Sequence, residues 1–340
     1  MKLKKLKAAL LGLTLATSAL PALATDVQFF GVLREFIDHD NIKGGTTDSK
    51  PGIKLTSFIS KVGVSVTEPL NDINPGLKAG FVVETSVFAD APNSTAGPSR
   101  SAYLGNEKVI AGFTQDDLWS LNFGRDKHHV WKMLIKYGPF EDLYGSPSGE
   151  IHNRQGLRMN NGMYATYKPH KDVTVFWDHS FSEVQGRGDS DVYGAKYSAN
   201  GFDLAAAYYN EGYVRSGYTM KNESTIFAGS YKFDSTKTTL MLLHSNDTAL
   251  DKETSGTTAT VKQEITSKFS VSGGYGYRSQ DNVKAVFAGA DYALSKKLTL
   301  QARAQKVTAD NVITFTTAND LAGISGTDHT NVGVGLEFKF

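Results

Sequence analysis

From Val27 onward most of the chain alternates apolar and polar residues at a period of two. The clearest run places Phe58, Ser60, Val62, Val64 and Val66 on one face and Ile59, Lys61, Gly63, Ser65 and Thr67 on the other. Strict alternation with β-branched residues on one side predicts a strand exposed to two different environments. The turn Glu68–Gly76 leads into a second such run, in which Leu77, Ala79, Phe81 and Val83 alternate with Lys78, Gly80, Val82 and Glu84. The same reading predicts strands over 27–38, 100–113, 118–125, 154–168, 173–181, 191–197, 202–209, 223–234, 237–245, 257–265, 268–278, 283–294, 298–307 and 330–340, about sixteen in all. Short turns such as Ser198–Gly201 and Asp234–Thr236 alternate with longer polar segments such as Asn41–Gly52, Ala89–Ser99 and Asn210–Met220. No repeat at solenoid spacing and no linker interrupts the pattern, which predicts one all-β domain.

One stretch breaks the rhythm. Asp126–Asn153 (DKHHVWKMLIKYGPFEDLYGSPSGEIHN) has no period of two and is far longer than a tight hairpin turn. It carries Trp131, Leu134, Ile135, Tyr137, Phe140 and Tyr144, too apolar a set for a disordered linker. A loop packed against something is the expectation. Within it, His128–Tyr137 has the spacing of a short helix, with Val130, Leu134 and Tyr137 near one face.

The N-terminus reads as a targeting signal. Lys2, Lys4, Lys5 and Lys7 precede an apolar run, Ala8–Leu20, and the small-x-small site Ala22-Leu23-Ala24, which predicts export and cleavage after residue 24. The remaining domain, 25–340, keeps 32 basic against 35 acidic side chains, a balance without the basic excess of a nucleic-acid binder. The chain has no cysteine, so disulfide stapling and lipoprotein anchoring are excluded. No later run is long and apolar enough for a spanning helix. Two classes remain: a soluble exported β-protein, or the other structure that can span a bilayer, a closed β-barrel. Alternating connection lengths favour the barrel, as do aromatics near strand ends, among them Phe29, Tyr103, Trp119, Trp177, Tyr208 and Tyr292.

Several segments, in order, resemble the general diffusion porins of the Gram-negative outer membrane, in the group typified by neisserial and other proteobacterial trimeric porins. They are Phe30-Gly31-Val32-Leu33, SKVGVSVTEPL (Ser60–Leu70), Gly76–Ala79 with Glu84 beyond it, Arg100–Gly105, Phe123-Gly124-Arg125 and Tyr292–Lys296. The terminal VGVGLEFKF, with Val332, Val334, Leu336, Phe338 and Phe340 at every second position, completes the series. The family's motif has an arginine where Lys61 stands, and an acidic residue is common where Arg34 stands. The resemblance implies an outer-membrane, sixteen-stranded antiparallel transmembrane β-barrel with an inward-folded third extracellular loop, a homotrimer, and neither enzymatic activity nor a cofactor. It also implies contacts with outer-membrane lipids and, through Leu336, Phe338 and Phe340, with the outer-membrane assembly machinery.

The third long loop in order is Asp126–Asn153. The resemblance implies that its acids Glu141, Asp142 and Glu150, with Glu84 of the wall, face basic residues across a water-filled neck. The basic candidates are Lys61, Arg100, Arg158, Arg154, Arg125 and Arg34. For Arg125, strict alternation with Trp119, Leu121 and Phe123 points towards lipid, so the expectation is a bulge or membership of the loop. Charges of opposite sign across a neck set ion preference, with screening confining the effect to about 8–10 Å. Other chemistry lacks a pattern: His128-His129 has no spaced ligand partners for a metal, and no serine and histidine fall into a recognisable hydrolase arrangement. The implied function is passive diffusion of small hydrophilic solutes and ions. A substrate-specific channel and a structural or adhesive surface barrel with a plugged pore are the alternatives.

Overall fold

A computed structural model describes residues 26–45, 52–57, 60–87, 104–138, 140, 151–152, 159–182, 187–215, 218–249, 252–315 and 324–340. The leader and the acids Glu141, Asp142 and Glu150 lie outside the described residues, as do Arg100, Arg154 and Arg158.

The alternating segments form one continuous antiparallel sheet. Its strands are β1 (Asp26–Lys43), β2 (Gly52–Ser57), β3 (Lys61–Pro69), β4 (Leu77–Ser86), β5 (Lys108–Gln115), β6 (Trp119–Asp126), β7 (Met159–His170), β8 (Val173–Ser180) and β9 (Arg187–Ala199). They continue as β10 (Phe202–Arg215), β11 (Tyr218–Phe233), β12 (Thr238–Ala249), β13 (Lys252–Glu264), β14 (Phe269–Arg278), β15 (Val283–Ala293), β16 (Leu298–Phe315) and β17 (Ile324–Lys339). Strands β2 and β3 lie end to end along β1, against Glu35–Asp40 and Asp26–Val32 respectively, and act as one stave of the wall. The wall therefore has sixteen staves. It closes where β1 pairs with β17, from Val32 opposite Lys339 to Lys43 opposite Asp328. At the seam, Gly31 and Phe340 exchange backbone hydrogen bonds of 3.0 and 3.1 Å. Closure leaves no sheet edge, which is what a backbone surrounded by hydrocarbon requires.

The two faces decide between barrel and sandwich. Phe113, Phe123, Trp177, Tyr193, Leu204, Phe227, Leu242, Val286 and Val334 are exposed on the outer face. Along β16, Leu300 and Ala302 point outward, whereas the intervening Gln301, Arg303 and Gln305 are buried inside. A soluble protein does not expose an apolar girdle of this extent, and apolar-out, polar-in alternation is the pattern of a membrane barrel. Leu336, Phe338 and Phe340 belong to the outer face, with the last two rings stacked 5.9 Å apart. Both described chain ends lie at the rim of the tight turns, and the connection carrying Asp126–Asn153 is at the opposite rim.

Several predicted boundaries need correction. The segments Asn41–Gly52 and Asn210–Met220 are not loops throughout: β1 continues to Lys43, β2 begins at Gly52, and β10 and β11 pair as far as Arg215 opposite Tyr218. Backbone pairing is indifferent to polarity once a ladder has begun, so polar hairpins extend beyond the apolar band. For the same reason β13 starts at Lys252, five positions before the predicted Thr257. Among the described residues of the strand predicted over 100–113, pairing begins at Lys108, after Gly105, at φ +80°, turns the chain and donates to Thr85 Oγ1 at 2.8 Å. The strand predicted over Arg154–Lys168 is described from Met159 to His170.

Candidate functional site

Helix α1 (His129–Tyr137) is the local structure at the heart of the non-alternating stretch. Its first turn is capped by the ring of His128, whose Nδ1 accepts from the Trp131 amide at 3.1 Å. Its last turn closes through the Gly138 amide, which donates to the Leu134 carbonyl at 2.9 Å. Between the caps, Val130, Trp131, Met133, Leu134 and Tyr137 are all buried. They pack with Met159, Tyr164, Phe176, Val192, Tyr209 and Leu243, from β7, β8, β9, β10 and β12, on the face opposite the apolar girdle. Alanines at 205, 207 and 228 of β10 and β11 belong to the same cluster, leaving depth for the helix side chains.

Polar anchors fix both ends of α1. The backbone N–H of His129 donates to Asp178 Oδ2 at 2.6 Å, its Nδ1 lies 2.7 Å from Oδ1, and its ring stacks on Phe176 at 4.3 Å. The two adjacent histidines are thus a cap and an anchor. At the other end the Tyr137 hydroxyl donates to Asp203 at 2.6 Å, and Lys136 pairs with the same carboxylate. Burial, reinforced by Asp203, pushes the Tyr137 phenol well above the ordinary tyrosine range. Beyond Gly138, Phe140 meets Phe287 of β15 edge-on at 5.5 Å, and the Arg303 guanidinium of β16 sits 4.7 Å from its ring centre. Farther along, His152 is fully buried between Ser245 Oγ at 2.9 Å and Thr258 Oγ1 at 2.8 Å, on β12 and β13. The described parts of this one connection touch the wall at widely separated strands.

The wall from β3 to β6 carries a ladder of alternating charge. Lys61 pairs with Glu84 of β4, which stands in register with Lys108 of β5. Lys108 Nζ lies 3.5 Å from Asp126 Oδ2, and Lys132 of α1 reaches the same atom at 2.9 Å. On the other side of the seam, Glu337 binds Arg34 at 2.6 Å and Lys339 at 2.8 Å. Of the residues singled out in the sequence, the structure thus brings Lys61 and Glu84 together and places Arg34 on the same inner face. Arg125 sits at a β-bulge, with the register shifting between Gly124 and Asp126. Its Nε donates to the Asn106 carbonyl at 3.0 Å and its Nη1 reaches Asn160.

Sequence reading missed Lys108, Asp126, Lys132 and Glu337. The inward parity of Lys108 and of Glu337, each one position from an outward apolar residue, was the available signal. Lys132 and Asp126 required knowledge of where α1 docks.

Residues 8–312 match the model of a family described as Gram-negative porin. The chain is 25% identical over 190 residues to outer membrane porin protein 32 of Delftia acidovorans, an alignment covering 53% of this chain and about half of that protein, 51%. Its fold is similar to an anion-selective porin from Comamonas acidovorans, with a TM-score of 0.77 at 19% identity, covering 93% of this chain and 99% of that one. OmpT of Vibrio cholerae is also similar, with a TM-score of 0.68 at 14% identity over 94% of this chain and 99% of the other.

Proposed function

We propose, from the premise that the chain belongs to the Gram-negative porin family, that it is an outer-membrane channel for passive diffusion of small hydrophilic solutes and ions. A barrel of sixteen strands encloses an aqueous bore, so selection needs a narrower place. The connection after β6 supplies it. The observation that carries this reading is the apolar face of α1 seated on the inner side of β7–β12 while Phe140 of the same connection reaches β15 and β16.

In this reading the connection folds into the bore, and the solute passes between it and the β3–β6 wall. Lys61, Glu84, Lys108, Asp126 and Lys132 line that passage, three bases alternating with two acids. Such a ladder holds ions by successive, individually weak contacts, as conduction requires. Arg34 adds charge near the seam, while Glu141, Asp142, Glu150, Arg100, Arg154 and Arg158 complete the neck in the proposed arrangement. Arg125, held at the bulge, orients the start of the connection. The protein is proposed to assemble as a homotrimer; one of the structurally similar chains is a trimer form of OmpT.

Planar-bilayer recordings test the reading. Purified protein is expected to give steady ohmic conductance with weak ion preference. Neutralising Lys61, Arg100 and Arg158 together is expected to move the reversal potential under a salt gradient towards that of cations. Absence of conductance would remove the channel assignment, and an unchanged reversal potential would remove those bases from the neck.

A further inference from the structure

Below α1, towards the tight-turn rim, a cavity of about 510 Å³ lies between the connection and the wall of β12–β17. That volume falls within the range of small-molecule sites and is far larger than a bare inorganic ion needs. Its charges are not balanced. Among the described lining residues the carboxylates are Glu264, Asp291 and Glu337, and each already has a cation: Lys232 at 3.1 Å, Arg303 at 2.6 Å, and Arg34 with Lys339 respectively. Lys136 is matched by Asp203. Lys262 and Lys268 line the same cavity with no carboxylate partner among the described residues.

Its lining also holds polar groups that the protein leaves unmatched. Arg303 is 4% exposed and Thr260 only 2%, yet Arg303 Nε and Thr260 Oγ1 have no hydrogen-bond partner among the described residues. Gln301 Oε1 on the next inward position of β16 is in the same state. Unmatched buried polar atoms cost free energy unless something answers them. Around them stand the hydroxyls of Thr239, Ser270, Ser272 and Thr299. Surplus positive charge at one end and many neutral donors and acceptors across the rest call for a ligand with one anionic group and several hydroxyls.

We infer that this cavity is a binding station for an anionic polyol of sugar-phosphate size, with the anion held by Lys262 and Lys268 and the hydroxyls by Gln301, Ser270, Ser272 and Thr299. This deepens the diffusion-channel reading, on which it rests, by giving the pore a second point of selection beyond the β3–β6 ladder. A solute that lingers there interrupts the ion current.

The probe is glucose 6-phosphate, added to one side of the bilayer and then the other, with glucose and inorganic phosphate run separately. Glucose 6-phosphate is expected to interrupt the current at about tenfold lower concentration than either control, more effectively from one side. The double variant Lys262→Gln, Lys268→Gln is expected to weaken the block about tenfold, read as the shift in blocking concentration relative to each channel's own open current. Lys297→Gln, at an exposed turn of the same rim, should leave the block unchanged. Equal block by inorganic phosphate, or undiminished block in the double variant, would overturn the site while the channel assignment stands. Wild-type protein without conductance would instead bring down the channel reading itself.

Discussion

Truncating Trp131 to alanine should loosen α1 without weakening the barrel. Five helix side chains, Val130, Trp131, Met133, Leu134 and Tyr137, are buried against the wall. At about 1.5–3 kcal/mol each their burial is worth about 8–15 kcal/mol. Ordering the nine helix residues costs about 9–18 kcal/mol of backbone entropy. Apolar burial thus barely matches the ordering cost, and the anchors at Asp178 and Asp203 tip the balance by a few kcal/mol. Removing a Trp side chain that is 3% exposed costs about 3–5 kcal/mol, enough to bring the undocked population from rare to common. Single-channel recordings of Trp131→Ala should therefore show excess open-channel noise and brief closures. The barrel's heat-modifiable mobility should persist to the wild-type temperature, because no strand pairing is touched. A quiet channel of wild-type conductance would refute the marginal-docking argument. So would a barrel that melts much earlier, since α1 would then share the cooperative unit of the strands.

Other outcomes follow from the same contacts. The docked Tyr137 phenol, facing Asp203 with Lys136 and Lys196 nearby, holds its proton above the ordinary value of 10.0. The undocked phenol ionises first, so docking loses stability as pH rises past that value; channel noise should grow above about pH 10 in the wild type, and Tyr137→Phe should lose that alkaline increment. Asp178→Asn keeps the shape but exchanges an acceptor pair for a mixed amide, and should cost about 1.5–3 kcal/mol of α1 anchoring, measured as added noise; an unaltered trace would count against the anchor. At the seam, a Cβ on Gly31 would run into the Phe340 ring and come within 2.9 Å of the Lys61 carbonyl. Gly31→Ala should therefore lower the unfolding temperature in heat-modifiability gels by displacing the terminal ring.

How much of this was legible in the sequence depends on the range over which each cause acts. The staves were legible because alternation is written residue by residue: the parity that turns Leu300 and Ala302 outward also turns Gln301 and Arg303 inward. Their ends were less so, because the ladder between Asn210 and Glu223 is held by backbone pairing with little regard for side-chain polarity. The β6–β7 connection announced itself by losing the period, and its helix by the spacing of Val130, Leu134 and Tyr137. What it rests on could not be read, since Asp178 and Asp203 lie 49 and 66 positions away from the residues they anchor. The charge ladder falls between these cases. Lys61 and Glu84 stand on strands joined by a short turn, and register makes them diagonal neighbours, Lys61 opposite Ser86 and Glu84 opposite Gly63, within reach of a long lysine side chain. Asp126 keeps the inward parity of Ser120 and Asn122 on β6, and its place beside Lys108 follows from an unbroken β5–β6 ladder that runs as far as Val109 opposite Arg125. The irregularity lies on the partner strand: β7 carries one extra residue between Met159 and Gly162, where Asn161 takes a φ of 52°, and no side-chain pattern in the sequence announces it.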